Sequence, residues 1–242
     1  MSDYVSLVFA LGFVLIHLTS KYMKFLDAVP RSRFLSAAGG VAVAYVFMHL
    51  LPELNHYQQK MGEITEEGFA LEHQAYLIAM TGLAVFYGLE RMVKVSKKNG
   101  DSNHASPGVF WIHMFSFFVY NAIIGYLLVR GYDRTLWSLF FYFIALTVHF
   151  LTNDHSLRQS HSKLYDRWGR WLLASGVLLG WTVGAMTAVH ELVVSSLFAF
   201  LAGGVILNVL KEELPEERES SFPAFALGLL GYTLLLFLSS AF

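Results

Sequence analysis

The sequence predicts an all-α membrane protein of eight transmembrane helices, and three observations carry that reading. Of 242 residues, 55% are hydrophobic and only 14% charged, against about a quarter charged in an ordinary soluble domain. The apolar residues gather into eight stretches, each close to the roughly 20 residues that cross about 30 Å of hydrocarbon. Basic residues concentrate in alternate loops between these stretches, as they do when short loops are held on the cytoplasmic side.

The eight stretches fall near 4–22, 34–51, 74–92, 108–129, 136–153, 168–189, 191–210 and 222–242. The first begins at Tyr4 behind Asp3 rather than behind a basic leader, so it reads as a retained helix and not a cleaved signal peptide. Pro30-Arg31-Ser32-Arg33 precedes the second stretch and Asn99-Gly100-Asp101-Ser102-Asn103 the fourth, both rich in residues that interrupt helices. No loop is long enough for a separate domain, so residues 1–242 read as one polytopic unit. Lys21, Lys24, Arg31 and Arg33 flank the first loop, and Arg91, Lys94, Lys97 and Lys98 the third. Arg158, Lys163, Arg167 and Arg170 flank the fifth, and Lys211 and Arg218 the seventh. Fourteen of the seventeen basic residues thus lie at odd loops, which places those loops in the cytoplasm and both termini outside the cell membrane.

Composition also excludes. A net charge of -1 removes the excess of cations that nucleic-acid binding requires. With no cysteine, disulfides, thiolate metal sites and cysteine nucleophiles are ruled out together, and any metal must be held by His, Asn or carboxylates. A membrane enzyme built on clustered His would need ligands repeated as His-x-x-x-His, which His149, His155 and His161 do not supply. The expectation is therefore a protein without catalytic chemistry and without a tightly bound cofactor.

The second stretch carries Gly39-Gly40-Val41 and closes His49-Leu50-Leu51-Pro52-Glu53; the seventh carries Gly203-Gly204-Val205 and closes Leu214-Pro215-Glu216. The two segments match within one residue and run in opposite directions, the sign of an inverted-topology repeat; chance similarity between two Gly-rich apolar helices is the alternative. At these residues the sequence resembles the ZIP family of divalent-metal transporters, named for zinc- and iron-regulated proteins. Gly88-Leu89-Glu90-Arg91 is similar to the end of that family's third helix. The resemblance implies a 3+2+3 inverted-repeat bundle, alternating access, and a divalent cation such as zinc as cargo. The lipid bilayer and a divalent metal ion are the expected partners, with a homodimer left open.

The resemblance further implies a metal site between helices four and five. The family pattern in helix four, His-Asn-x-x-Asp/Glu-Gly, meets His113-Met114-Phe115-Ser116-Phe117-Phe118 here, where only the His survives. A shifted alignment through Asn121-Ala122-Ile123-Ile124-Gly125 puts Ser116 at the His position and Tyr120 at the carboxylate position; both alignments stand open. In helix five, His149 and Asn153 are four residues apart and share a face, where an imidazole and an amide oxygen could meet one cation. Asp154 is the nearest carboxylate, about 100° around the helix from Asn153, and suits an exit path. The expected metal ligands are therefore His149, Asn153, His113 and Asp154. His113 reads equally as an interfacial His bonded to a backbone carbonyl, and His155 and His161 as part of a solvated cytoplasmic helix end. The acids Glu53, Glu63, Glu66, Glu67 and Glu72 could concentrate cations at the outer entrance or form a merely soluble loop; Glu212, Glu213, Glu216 and Glu217 have the same two readings inside. Carboxylates normally offset a divalent cation's charge. Their scarcity in helices four to six supports a rival reading, a non-transporting scaffold or regulator that keeps the fold.

Overall fold

The structure is a computed structural model that describes residues 2–22, 33–64, 73–99, 106–131, 135–213 and 221–240. Residues 30–32 and 100–103 of the two turn signals lie outside the described residues, as do Glu66, Glu67, Glu72 and the Leu214-Pro215-Glu216-Glu217 end of the seventh stretch.

Among the described residues every regular element is helical: α1 (Ser2–Thr19), α2 (Arg33–Tyr45), α3 (Leu51–Ile64), α4 (Gln74–Asn99), α5 (Pro107–Arg130), α6 (Leu136–Leu164), α7 (Arg170–Met186), α8 (Glu191–Glu213) and α9 (Phe222–Ser240). A π-helical turn, Val46–Leu50, joins α2 to α3, and another, Tyr165–Gly169, joins α6 to α7. Local chemistry sets the starts. Pro107 opens α5, where its missing N–H costs nothing, and the Thr135 hydroxyl accepts from Ser138 N at 3.2 Å to cap α6.

The faces are those of a protein solvated by lipid. α1 buries Ser6, Ala10, Phe13 and His17, a stripe at helical spacing, and leaves Tyr4, Val8, Leu11 and Leu15 exposed. Polar groups turn inward and large apolar ones outward because hydrocarbon offers nothing to hydrogen-bond.

Six segments among the described residues are long and apolar enough to cross a membrane, and Phe222–Leu238 is a shorter apolar helix. The chain is thus an all-helical protein built for membrane insertion, but this count is six where the sequence led us to expect eight. Part of the difference has a clear physical cause. The 51-residue segment Leu136–Met186 folds back on itself. His161 leaves helical geometry at φ -145° and ψ 33°, and Arg158 Nε reaches Asp166 Oδ1 at 2.9 Å, although eight residues of straight helix would span about 12 Å. Before the reversal α6 runs antiparallel to α5, with Tyr120 against His149 and Phe110 against His161. After it, α7 runs parallel to α5, with Gly176, Gly180 and Gly184 against Phe118, Ala122 and Tyr126.

Small residues let backbones touch, the usual means of helix association in lipid. A methyl at Gly180 would overlap the Ala122 carbonyl oxygen, one at Gly228 of α9 the Ala37 oxygen of α2, and one at Gly203 of α8 the Ala79 oxygen of α4. These contacts interlock the pairs α5–α7, α2–α9 and α4–α8. With α1 packed on α6 and α7, the helices form two sets, α1, α5, α6 and α7 in one and α2, α4, α8 and α9 in the other. Between the sets the contacts include ring pairs, Phe86 with Tyr120 at 5.2 Å and Phe141 with Tyr232 at 5.8 Å between centroids, and polar side chains, Glu90 with His113 and Lys97 with Ser160.

Candidate functional site in the helix interior

The most buried polar residues converge on α6. Asp154 has no exposed surface, and its carboxylate accepts from His17 Nδ1 of α1 at 2.9 and 3.1 Å. The other ring nitrogen, Nε2, lies 2.9 Å from Asn121 Oδ1 of α5. Asn121 cannot turn its nitrogen toward the ring, because Nδ2 donates to Phe117 O at 2.8 Å. Both ring nitrogens of His17 therefore face acceptors, a geometry that a doubly protonated imidazolium fills completely. Phe150 packs on the ring at 4.6 Å and keeps water away. The result is a buried, hydrogen-bonded cluster that ties three helices together.

One residue earlier on α6 the arrangement differs. His149 is buried and shares a hydrogen bond of 2.9 Å between Nε2 and the Tyr120 hydroxyl. Asn153 is 6% exposed and its Nδ2 is buried with no hydrogen-bond partner. A side-chain amide can exchange its nitrogen and oxygen by a half-turn, so this position can offer either a donor or an acceptor. Tyr120, which one of the two alignments of helix four puts at the carboxylate position, is thus bonded to His149. Ser116, its companion in that alignment, donates to Ile112 O at 2.9 Å.

His113 lies elsewhere. It is 2% exposed, with Nε2 at 3.7 Å from Glu90 Oε1 of α4 and its ring 5.8 Å from that of His161. Glu90 also pairs with Lys211 Nζ of α8 at 3.0 Å. The four expected metal ligands thus divide into three places: His149 and Asn153 together on one face of α6, Asp154 turned to α1, and His113 turned to α4. Among the described residues no group of three or more His, Asp or Glu is placed to hold a metal ion.

Asp154, which the sequence suited to an exit path, is fully buried with both oxygens facing His17 Nδ1. One expectation needs correction. His155 and His161 are not on a solvated helix end; they are 8% and 3% exposed, and the His161 ring packs against Phe110 and His113 of α5. Sequence reasoning also passed over His17. The signal was present: a His within an apolar stretch, on the same stripe as Ser6, Ala10 and Phe13, is an intramembrane ionisable group that calls for a partner.

A second polar feature lies on the rod of α2 and α3. His49 Nε2 and Glu53 Oε2 approach to 3.7 Å and, with Tyr142 and Ser138, line a small cavity.

Comparison with protein-family models finds no match, and comparison with curated protein sequences finds none either.

Proposed function

We propose that this chain is a ZIP-like transporter that moves a divalent cation, zinc or a similar ion, through the cell membrane by alternating access, using a degenerate site. The observation that carries the proposal is the face of α6 shared by His149 and Asn153. Both are buried in the bundle, Tyr120 stands opposite, and the Asn153 amide keeps unused hydrogen-bonding capacity. An unsatisfied polar group at that depth is costly unless something visits it. Two neutral ligands with a phenol nearby make a weak cation site, and weak binding is compatible with release on the far side. Alternating access is supported by two interlocked helix sets that meet through side chains.

The proposal includes eight passes with both termini outside. Reading the two arms of Leu136–Met186 as separate passes and Phe222–Leu238 as another supplies the count. The internal echo supports an inverted repeat. Gly40 of α2 packs on the α9 backbone and Gly203 of α8 on the α4 backbone, so each of the two echoing helices makes a close glycine contact with another helix. The one-residue mismatch of the echo coincides with the π turn Val46–Leu50, which takes in one residue more than an α turn, while α8 continues as plain α-helix.

The rival reading, a scaffold or regulator that no longer transports, is favoured by one observation: the buried carboxylate of α6 is already engaged by His17 and turned away from His149. Metal accumulation in cells, with cation binding to the purified protein, decides between them. His149→Ala should abolish both while the protein stays folded, and Asn153→Asp should tighten binding by supplying the missing charge. If neither substitution moves binding or uptake in folded protein, the scaffold reading stands. For orientation, a cysteine at the exposed Gly62, where nothing lies within 4 Å, should react with an impermeant reagent in intact cells, while Ser102→Cys should be protected. The reverse pattern would invert the topology.

A further inference from the structure

We propose that the groove between the end of α4 and the end of α8 binds the phosphate headgroup of an anionic phospholipid from the cytoplasmic leaflet. The proposal rests on the orientation argued above and is independent of transport. Tyr87, Glu90, Arg91 and Lys94 follow one another at i, i+3, i+4 and i+7 and so lie on one face of α4. With Leu207 and Lys211, one turn apart on α8, they line a groove of about 210 Å³.

Its charges are arranged in two layers. Glu90 is engaged by Lys211 at 3.0 Å and by His113 at 3.7 Å, so the acid and one lysine close the inner wall as a pair. Arg91 and Lys94 are exposed and leave a net positive mouth. Lys97, one turn further on, is not part of it, since Nζ donates to Ser160 Oγ of α6 at 3.0 Å. An arginine fork and a lysine point charge are the complementary pair that phosphate recognition uses. The apolar surroundings favour a lipid over a free anion. Tyr87 is 58% exposed on the rim, an amphipathic ring suited to headgroup depth. Val95 and Leu210 adjoin Lys94 and Lys211 and are each 46% exposed; acyl chains can cover them, and a free phosphate cannot. The cytoplasmic leaflet is where anionic lipids give the surface its negative potential.

The test is lipid retention by the full chain. Purified protein is exchanged into mixed phosphatidylglycerol and phosphatidylcholine, and bound lipid is read by native mass spectrometry. The wild type should retain phosphatidylglycerol selectively. Arg91→Gln with Lys94→Gln should lower that retention by roughly fivefold for each charge removed, the effect of a single cation near an anionic surface. Lys163→Gln with Arg167→Gln, an equal charge change at exposed residues of the α6–α7 reversal, should leave it unchanged, and Arg91→Lys with Lys94→Arg should restore most of it. Equal loss in both Gln pairs would overturn the site in favour of diffuse attraction, as would full retention by Arg91→Gln with Lys94→Gln. Displacement by inorganic phosphate as readily as by lipid would overturn the lipid assignment. Because these substitutions leave His149 and Asn153 in place, a failure here would not touch the transport reading, nor the reverse.

Discussion

Adjacent residues of α6 are built on opposite principles. Asp154 sits in a cluster where each polar group has its complement: two carboxylate oxygens on His17, the far ring nitrogen on Asn121, and the Asn121 nitrogen on Phe117 O. Asn153 sits beside it with a buried nitrogen that has no partner. The first arrangement fixes where α1, α5 and α6 stand relative to one another, because a satisfied buried network is rigid and a broken one is expensive. The second leaves a hydrogen-bonding group unused. Helical geometry explains how both coexist, since a step of about 100° points neighbouring side chains toward different helices. The contrast teaches that the buried carboxylate of α6 belongs to the framework of the bundle, and that the polar group left without a partner beside it is neutral.

The largest expected effect comes from breaking the satisfied cluster. Asp154→Ala would leave the buried His17 Nδ1 without its acceptor, and a buried polar group left unsatisfied costs about 1–3 kcal/mol. Unfolding in mixed micelles followed by helical signal should show that loss. Replacing His17 and Asp154 together by Leu should recover most of it, because exchanging both partners of a buried hydrogen bond for apolar groups is often nearly neutral. If Asp154→Ala unfolds like the wild type, the cluster is not the lock described here. An effect of similar or smaller size should follow from moving α5, which carries Asn121. Gly180→Ala would push a methyl into the Ala122 carbonyl, and overpacking of this kind costs about 1–3 kcal/mol. Gly88→Ala, where nothing lies within 4 Å, is the matched control and should be neutral or slightly stabilising, since Ala is about 1 kcal/mol better than Gly inside a helix. Equal responses at the two glycines would show that the α5–α7 contact is not tight.

What the sequence made legible follows the range of the interaction. Helix positions were readable because hydrophobic length is a local property, and α4 and α8 enclose the stretches expected at 74–92 and 191–210. The common face of His149 and Asn153 was readable because four-residue spacing is local too. The partner of Asp154 was not, for it lies 137 residues away, and nothing in α6 says which helix stands on that side. The same limit explains His113. A position about five residues inside helix four is consistent with an interfacial His, but Glu90, which it faces, comes from a helix placed by glycine contacts at Gly82 and Gly203. The reversal after α6 was legible only in part, because His161 to Gly169 keeps nearly continuous helical hydrogen bonding while changing direction, and polarity alone suggested an exposed end.

The smallest expected effect sharpens the comparison most. If the Asn153 amide is an unpartnered group in the resting protein, replacing it with Leu removes a desolvation cost and keeps the branched four-atom side-chain skeleton, though with bulkier methyl groups. Removing an orphaned buried polar group in this way is neutral or stabilising, so Asn153→Leu should unfold within about 1 kcal/mol of wild type, on the stable side. The same substitution removes one of the two neutral ligands proposed on α6, so on that proposal cation binding should fall while stability holds. That separation is the signature of a group kept for a guest rather than for the fold. Asp154→Ala should show the converse, a loss of stability first. Destabilisation of more than about 2 kcal/mol in Asn153→Leu would mean that the amide has a structural partner, and the two neighbours on α6 would then belong to one network instead of two.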